Sequence, residues 1–160
     1  MSSEQESLPP LPIAVRPMRE DDLPFLTDSW LRSFREGNFG VPHDEYFETQ
    51  RRVIKSLLRQ SKAAIACDPN DADQVFGYVV WHARQEGKPL VHWCFVKHPF
   101  RRFGVCRHLM KVVDPEKRGV LLTHRSIHYP ELAKAGLRIT YAPFALVSCL
   151  VSGGGEDRKR

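Results

Sequence analysis

No stretch of this 160-residue chain is apolar over the ~20 residues that carry a helix across a bilayer, so no membrane role is expected. The first twelve residues hold Glu4, Glu6 and three prolines, with neither a basic cap nor an apolar core. That pattern is not a secretory signal, and a cytoplasmic location follows by default. Cysteine is sparse too: Cys67, Cys94, Cys106 and Cys149 form no Cys-x-x-Cys spacing, and three of them lie in apolar stretches. Buried, reduced thiols are expected in place of a disulfide framework. His92-x-Cys94 and His124-x-x-x-His128 could offer metal ligands, but no second matched pair and no His-x-Glu accompanies them, so no metal site is assigned. No internal repeat is evident.

What remains suits one domain, since 160 residues bury enough surface to fold without staples and are too few for two full domains. Residues 1–11, polar and proline-bearing, read as a flexible leader. Residues 152–160, with three glycines and charges of both signs, read as a flexible tail, which leaves 12–151 as the domain. The net charge is +5, and the stretch from Lys97 to Arg118 carries all of that excess, with seven Lys or Arg residues against Asp114 and Glu116. A positive field concentrated there would steer an anionic ligand, and a phosphorylated cofactor and a nucleic acid both qualify.

Hydrophobic periodicity orders the elements. Ile13 to Arg16 reads as a strand. Asp21 and Asp22 offer a cap to a helix with Leu23, Leu26, Trp30, Leu31 and Phe34 on one face. A second helix runs from Asp44 to Gln60. Strands follow at Ala63–Cys67, Val75–Ala83 and Leu90–Val96, joined by a loop over 69–73 and a turn at Glu86-Gly-Lys. Their short connections make an antiparallel meander. A helix from Gly104 to Val113 then leads to a strand at Val120–His124, parallel to its predecessor because a helix intervenes. A short helix at Pro130–Ala135 precedes a last strand region, Ile139 to Val147, interrupted at Pro143. The class is α+β, a mixed, mostly antiparallel sheet flanked by helices, with a shortened C-terminal strand region. A short hairpin, or a strand supplied by a second copy in a homodimer, would complete that end.

The strongest signal lies where strand meets helix, in Val96-Lys-His-Pro-Phe-Arg-Arg-Phe-Gly-Val-Cys106. A basic, glycine-containing turn opening a helix points free N–H groups at whatever lies above it, and the positive helix end favours an anion. Gly104 lets a ligand approach the backbone, and Arg101 and Arg102 can close over a phosphate. This stretch, Arg101-x-x-Gly104-x-Cys106 after Pro99-Phe100, resembles the pyrophosphate loop of the GCN5-related N-acetyltransferases (GNAT). That loop usually runs Arg or Gln, two residues, Gly, one residue, then Gly or Ala; Cys106 is the departure. Ile13-Ala-Val-Arg-Pro-Met-Arg-Glu-Asp-Asp-Leu-Pro-Phe-Leu is similar to the family's first strand and helix, and Lys134-Ala-Gly-Leu-Arg to its late helix end. The resemblance spans roughly Leu11 to Ser148. It implies a GNAT-like fold whose fourth and fifth strands splay to hold a pantetheine arm. It also implies acetyl-CoA as acyl donor, with a cofactor-binding set of Phe95, Val96, Arg101, Arg102, Phe103, Gly104, Val105, Cys106 and Arg107.

Acyl transfer to an amine needs a neutral amine, stabilisation of an oxyanion and a proton for the departing thiolate. The family's Glu on the fourth strand is missing here. By the two-residue strand period His92 and Cys94 share a face, and His92 is the candidate base because imidazole titrates near neutrality. Leu132 stands where the family carries its acidic Tyr. Tyr129 is the candidate replacement, with His124, Ser126 and His128 beside it. Cys94 as an acyl-accepting thiol is a weaker alternative, since a thiol in an apolar strand stays protonated. Phe100 and Phe103 are expected to pack the turn onto the sheet. The function expected is therefore acyl-CoA-dependent N-acyltransfer, most simply of acetyl, to an amine of a small molecule, a protein or a nucleic acid base. With the usual acid and base missing, the competing function is a nucleic-acid-binding or interaction protein on a degenerate, non-catalytic scaffold.

Overall fold

Residues 9–84, 87–134 and 136–152 are described by the computed structural model of the chain. Most of the expected leader and tail, Gln85 and Glu86 of the expected turn, and Ala135 lie outside the described residues. The elements run β1 (Ala14–Pro17), α1 (Leu23–Arg35), α2 (His43–Gln60), β2 (Lys62–Asp68), β3 (Asp71–His82) and β4 (Leu90–Val96). They continue with α3 (Val105–Val113), β5 (Val120–Leu122), α4 (Tyr129–Lys134), β6 (Ile139–Tyr141) and α5 (Ala145–Ser152). The six strands form one open sheet in chain order. The first three pairings are antiparallel and the last two, β4 with β5 and β5 with β6, are parallel. The expected α+β mixed sheet is what the chain adopts.

One apolar layer lies between the sheet and α1, α2 and α5, with Trp30, Ile54, Leu57, Tyr78 and Trp93 at its centre. Trp30 and Trp93 stack at 6.1 Å, fixing α1 over β4. The opposite layer sets Val105, Leu109 and Val113 of α3 on Val79, Val91 and Leu122. Within β3, Gly77 faces Val96, and a Cβ there would lie 2.3 Å from the Phe95 carbonyl oxygen, so only glycine admits β4 this closely.

Two boundaries differ from the sequence reading in ways that matter. The Asp71-Ala-Asp segment pairs as the start of β3, which shortens the expected loop to Pro69 and Asn70. The expected C-terminal strand stops at Tyr141, and Ala145–Ser152 is helical, lying on α2 with Ala145, Leu146 and Leu150 against the first layer. An eight-residue apolar run has no period that separates strand from buried helix, and burial against α2 decides it. Asp22 also departs from its expected role: its carboxylate accepts the Arg19 N–H at 2.7 Å and a two-pronged pair from Arg16 at 2.7 and 3.0 Å, in place of capping α1.

Candidate functional site

The turn after β4 is held by hydrogen bonds of its own. Residues His98–Phe100 form a 3-10 turn. Arg101 then sends its Nε back to the Val96 carbonyl at 3.1 Å, tying the far side of the turn to the strand end. Arg102 and Gly104 both adopt left-handed backbone, with φ of 68° and 84°. For glycine this conformation is free; for arginine it costs of order 1 kcal/mol or more, a strain typical of ligand clamps. The first amide of α3 to find a helical carbonyl is that of His108, which donates to Gly104 O at 3.1 Å. Among the described residues, none of the six N–H groups from Arg102 to Arg107 has a protein acceptor. Six adjacent donors at a helix start, beside the exposed Arg101, Arg102 and Arg107, have the geometry of an anion seat.

Phe95 packs with Phe25 and Tyr78 on the α1 side, and Val96 lies against the α3 layer. Phe100 packs on Phe76 at 4.4 Å as expected, whereas Phe103, expected to pack, is 42% exposed. Val105 is buried and carries the helix into the core.

The seat opens onto a split in the sheet. β4 and β5 pair only at Leu90 with Leu121 and Val91 with Leu122, followed by one bond from Thr123 N to Val91 O at 3.1 Å. From His92 onward β4 runs without β5 beside it. Between them lies a cavity of about 30 Å³, lined by His92, Cys94, Cys106, Leu132 and His124 among others, room for about one water. A hollow of about 760 Å³ lies beside α3, lined by Arg107, Lys111, Lys117 and Arg138 with Asp114.

At His92 the two-residue period fails. Val80 pairs with Trp93 but Trp81 pairs with Val91, so His92 is the extra residue of a β-bulge. Cys94 packs with the α3 layer while Leu90 and Trp93 face α1. The expectation that His92 and Cys94 share a strand face is thereby corrected, although both reach the same small cavity. His92 Nδ1 lies 2.8 Å from Thr123 Oγ1, which lies 3.0 Å from His124 Nδ1. His124 Nε2 lies 3.3 Å from the amide nitrogen of Gln50 on α2. His92 Nε2 is buried without a partner among the described residues. Burial, reinforced by His124 and His82, drops the His92 pKa to about 3, and burial drops that of His124 to about 4. Both rings are neutral at pH 7.

Cys94 and Cys106 are free thiols in mutual contact. The hydrogen bond between them pushes Cys94 well up and Cys106 down, with Arg107 adding to the second shift. Tyr129 opens α4, half-buried on the α3 layer, with the Arg125 guanidinium 5.9 Å from its ring. Leu132 lines the cavity where the resemblance leads one to look for a tyrosine. Gln50 and Thr123 carried no sequence signal: they gain a role only because α2, the bulge and the end of β5 converge. Among the described residues no cluster of three metal-ligating side chains occurs, and no helix is long and apolar enough to cross a membrane.

No protein-family model and no curated protein matches this sequence. Solved structures do. A candidate acetyltransferase of Clostridium difficile 630 is 17% identical, covers 78% of this chain and 87% of its own, and superposes with a TM-score of 0.57. A candidate acetyl transferase of Pyrococcus furiosus, 14% identical, covers 92% of this chain and 95% of its own at 0.54. An acetyltransferase of the GNAT family from Staphylococcus aureus Mu50, 13% identical, covers 78% and 79% at 0.51. At such identities the likeness is one of fold.

Proposed function

We propose that this chain, which has the GCN5-related N-acetyltransferase fold, is an acyl-CoA-dependent N-acyltransferase that moves an acetyl group from acetyl-CoA to an amine. The single observation that carries this reading is the row of six unpaired N–H groups at Arg102 to Arg107, lying at the mouth of the β4–β5 split. A diphosphate takes up several such donors at once, and Arg101, held by Val96 O, keeps the turn in shape while Arg102 and Arg107 supply charge. The main chain of β4 beyond Val91, unpaired with β5, suits the amides of a pantetheine arm, which would add to the sheet as a strand does.

In this reading the amine attacks the thioester carbon in a ternary complex, an oxyanion forms, and the C–S bond breaks to release CoA thiol and the amide. His92 and Tyr129 are the side chains we assign to the reacting centre. Tyr129 is the proton donor to the departing thiolate, taking over from a position that Leu132 occupies, and the phenolate it leaves recovers the proton that the new amide nitrogen sheds. The amine must arrive neutral, because an imidazole whose conjugate acid titrates at about 3 takes no proton from an ammonium ion at pH 7.

Binding is tested first, by thermal shift. Acetyl-CoA at 100 times its Kd should stabilise the chain by about 2.7 kcal/mol, and the Arg101→Glu, Gly104→Glu double variant should lose that gain while staying folded. Unchanged affinity in the variant would move the site elsewhere. Release of free thiol across small amines, peptides and nucleic acids then identifies the acceptor.

A second reading rests on the 42% exposure of Phe103 between Arg102 and Arg107. A bare aromatic among arginines suits stacking on a nucleic acid base, with the scaffold serving as a binding protein. Salt-dependent binding of single-stranded nucleic acid with no response to acetyl-CoA would favour it.

A further inference from the structure

The network around His92 fixes where its proton sits. Both rings are neutral, so each carries one proton. An amide nitrogen only donates, so Gln50 makes His124 Nε2 the acceptor and leaves the His124 proton on Nδ1. That N–H donates to Thr123 Oγ1 at 3.0 Å. The hydroxyl owns a single proton, which then goes to His92 Nδ1 at 2.8 Å. His92 is left protonated on Nε2, the buried nitrogen with no partner among the described residues. The rings of Trp30 and Phe34 meet His124 edge to face at 5.4 and 5.0 Å, which holds its orientation.

A neutral N–H buried at a bulge, on the wall of the cavity where the sheet splits, seeks an acceptor oxygen from a ligand. His92 lies four residues back along β4 from Val96, roughly 13 Å at about 3.3 Å per residue, a distance that an extended pantetheine arm spans from the diphosphate seat. Resting on the acyl-CoA reading above, we propose that the His92 Nε2–H holds the thioester carbonyl oxygen and the oxyanion it becomes, locked in that tautomer by Gln50, His124 and Thr123. His92 is then a catalytic residue acting as hydrogen-bond donor, not as base, and the other three are positioning residues. No proton leaves His92 during turnover: the donor strengthens its bond as the C–O bond gains negative charge and relaxes when the C–S bond breaks.

The test uses the full chain labelled with ¹⁵N-histidine, with long-range ¹H–¹⁵N correlations at pH 7. His92 should have a protonated Nε2 and a bare Nδ1. Adding acetyl-CoA should move the Nε2–H resonance, whereas CoA, which has no acyl carbonyl, should move it much less. A His92 protonated on Nδ1 overturns the inference whatever binds. If backbone amides at Gly104 respond to acetyl-CoA but His92 does not, the oxyanion role falls and the donor-site reading survives. If neither responds, both fall together. Thr123→Val should free the tautomer and lower kcat by about 10–100-fold at unchanged KM for acetyl-CoA, with Thr123→Ser restoring both the tautomer and the rate. A valine variant with wild-type kcat would overturn the lock.

Discussion

The sulfur atoms of Cys94 on β4 and Cys106 in the first turn of α3 lie 3.7 Å apart, on the wall of the small cavity beside the turn. They stand twelve positions apart in the chain, and the contact between them ties α3 to β4. A cavity of about 30 Å³ cannot take a pantetheine arm, so in the acyl-CoA reading its lining, these two thiols included, moves apart on binding.

Shortening one thiol should remove that cost. Cys106→Ala, which also restores the small residue usual in related loops, is expected to tighten acetyl-CoA binding about fivefold, near 1 kcal/mol, as measured by calorimetry. Weaker binding would mean that the thiol helps to hold the ligand.

Removing only the Tyr129 hydroxyl keeps its ring on the α3 layer and under the Arg125 guanidinium, so the variant separates chemistry from binding. For the accepting amine found in the screen, Tyr129→Phe should lower kcat by about 10²-fold or more with KM for acetyl-CoA unchanged. A rate within twofold of wild type would remove Tyr129 as the acid.

Stability should fall on mild acidification. The folded-state pKa values of His92 and His124, about 3 and about 4, lie below the ordinary 6.5, so above pH 6.5 neither ring affects stability. As pH drops below 6.5 the unfolded chain takes up a proton at each ring and the folded chain does not, until about 4 for His124 and about 3 for His92. The loss reaches at most about 1.4 kcal/mol per pH unit for each ring. Urea midpoints should decline from pH 6.5 to 4.5, and a His92→Gln, His124→Gln double variant should flatten that decline. A wild-type midpoint constant over this window would show that the rings titrate normally.

Gly77 supports the site at a distance. Gly77→Ala drives a Cβ to within 2.3 Å of the Phe95 carbonyl oxygen and 3.1 Å of Val96 Cα, both backbone atoms that cannot yield alone. Chemical denaturation should register a loss of about 3 kcal/mol, with weaker acetyl-CoA binding because the end of β4 carries the turn. An unchanged midpoint would mean that β4 shifts freely.

The turn's row of free N–H groups could be read from the chain because its parts are contiguous: Arg101, Gly104 and the helix behind them need only local backbone geometry to present them. The meander and the parallel β4–β5 pairing were legible for a similar reason, since short loops force antiparallel neighbours and a helical crossover permits a parallel one. The bulge at His92 was not legible, because a two-residue alternation continues in the sequence while the pairing skips a residue. Nor was helix α5, whose apolar residues satisfy either a strand or a helix until α2 offers them a surface. Local order and chemical type thus fixed where an anion could sit. Which histidine nitrogen carries its proton, and which two thiols meet, depended on contacts among α2, β4, α3 and β5, because long-range packing alone sets those distances.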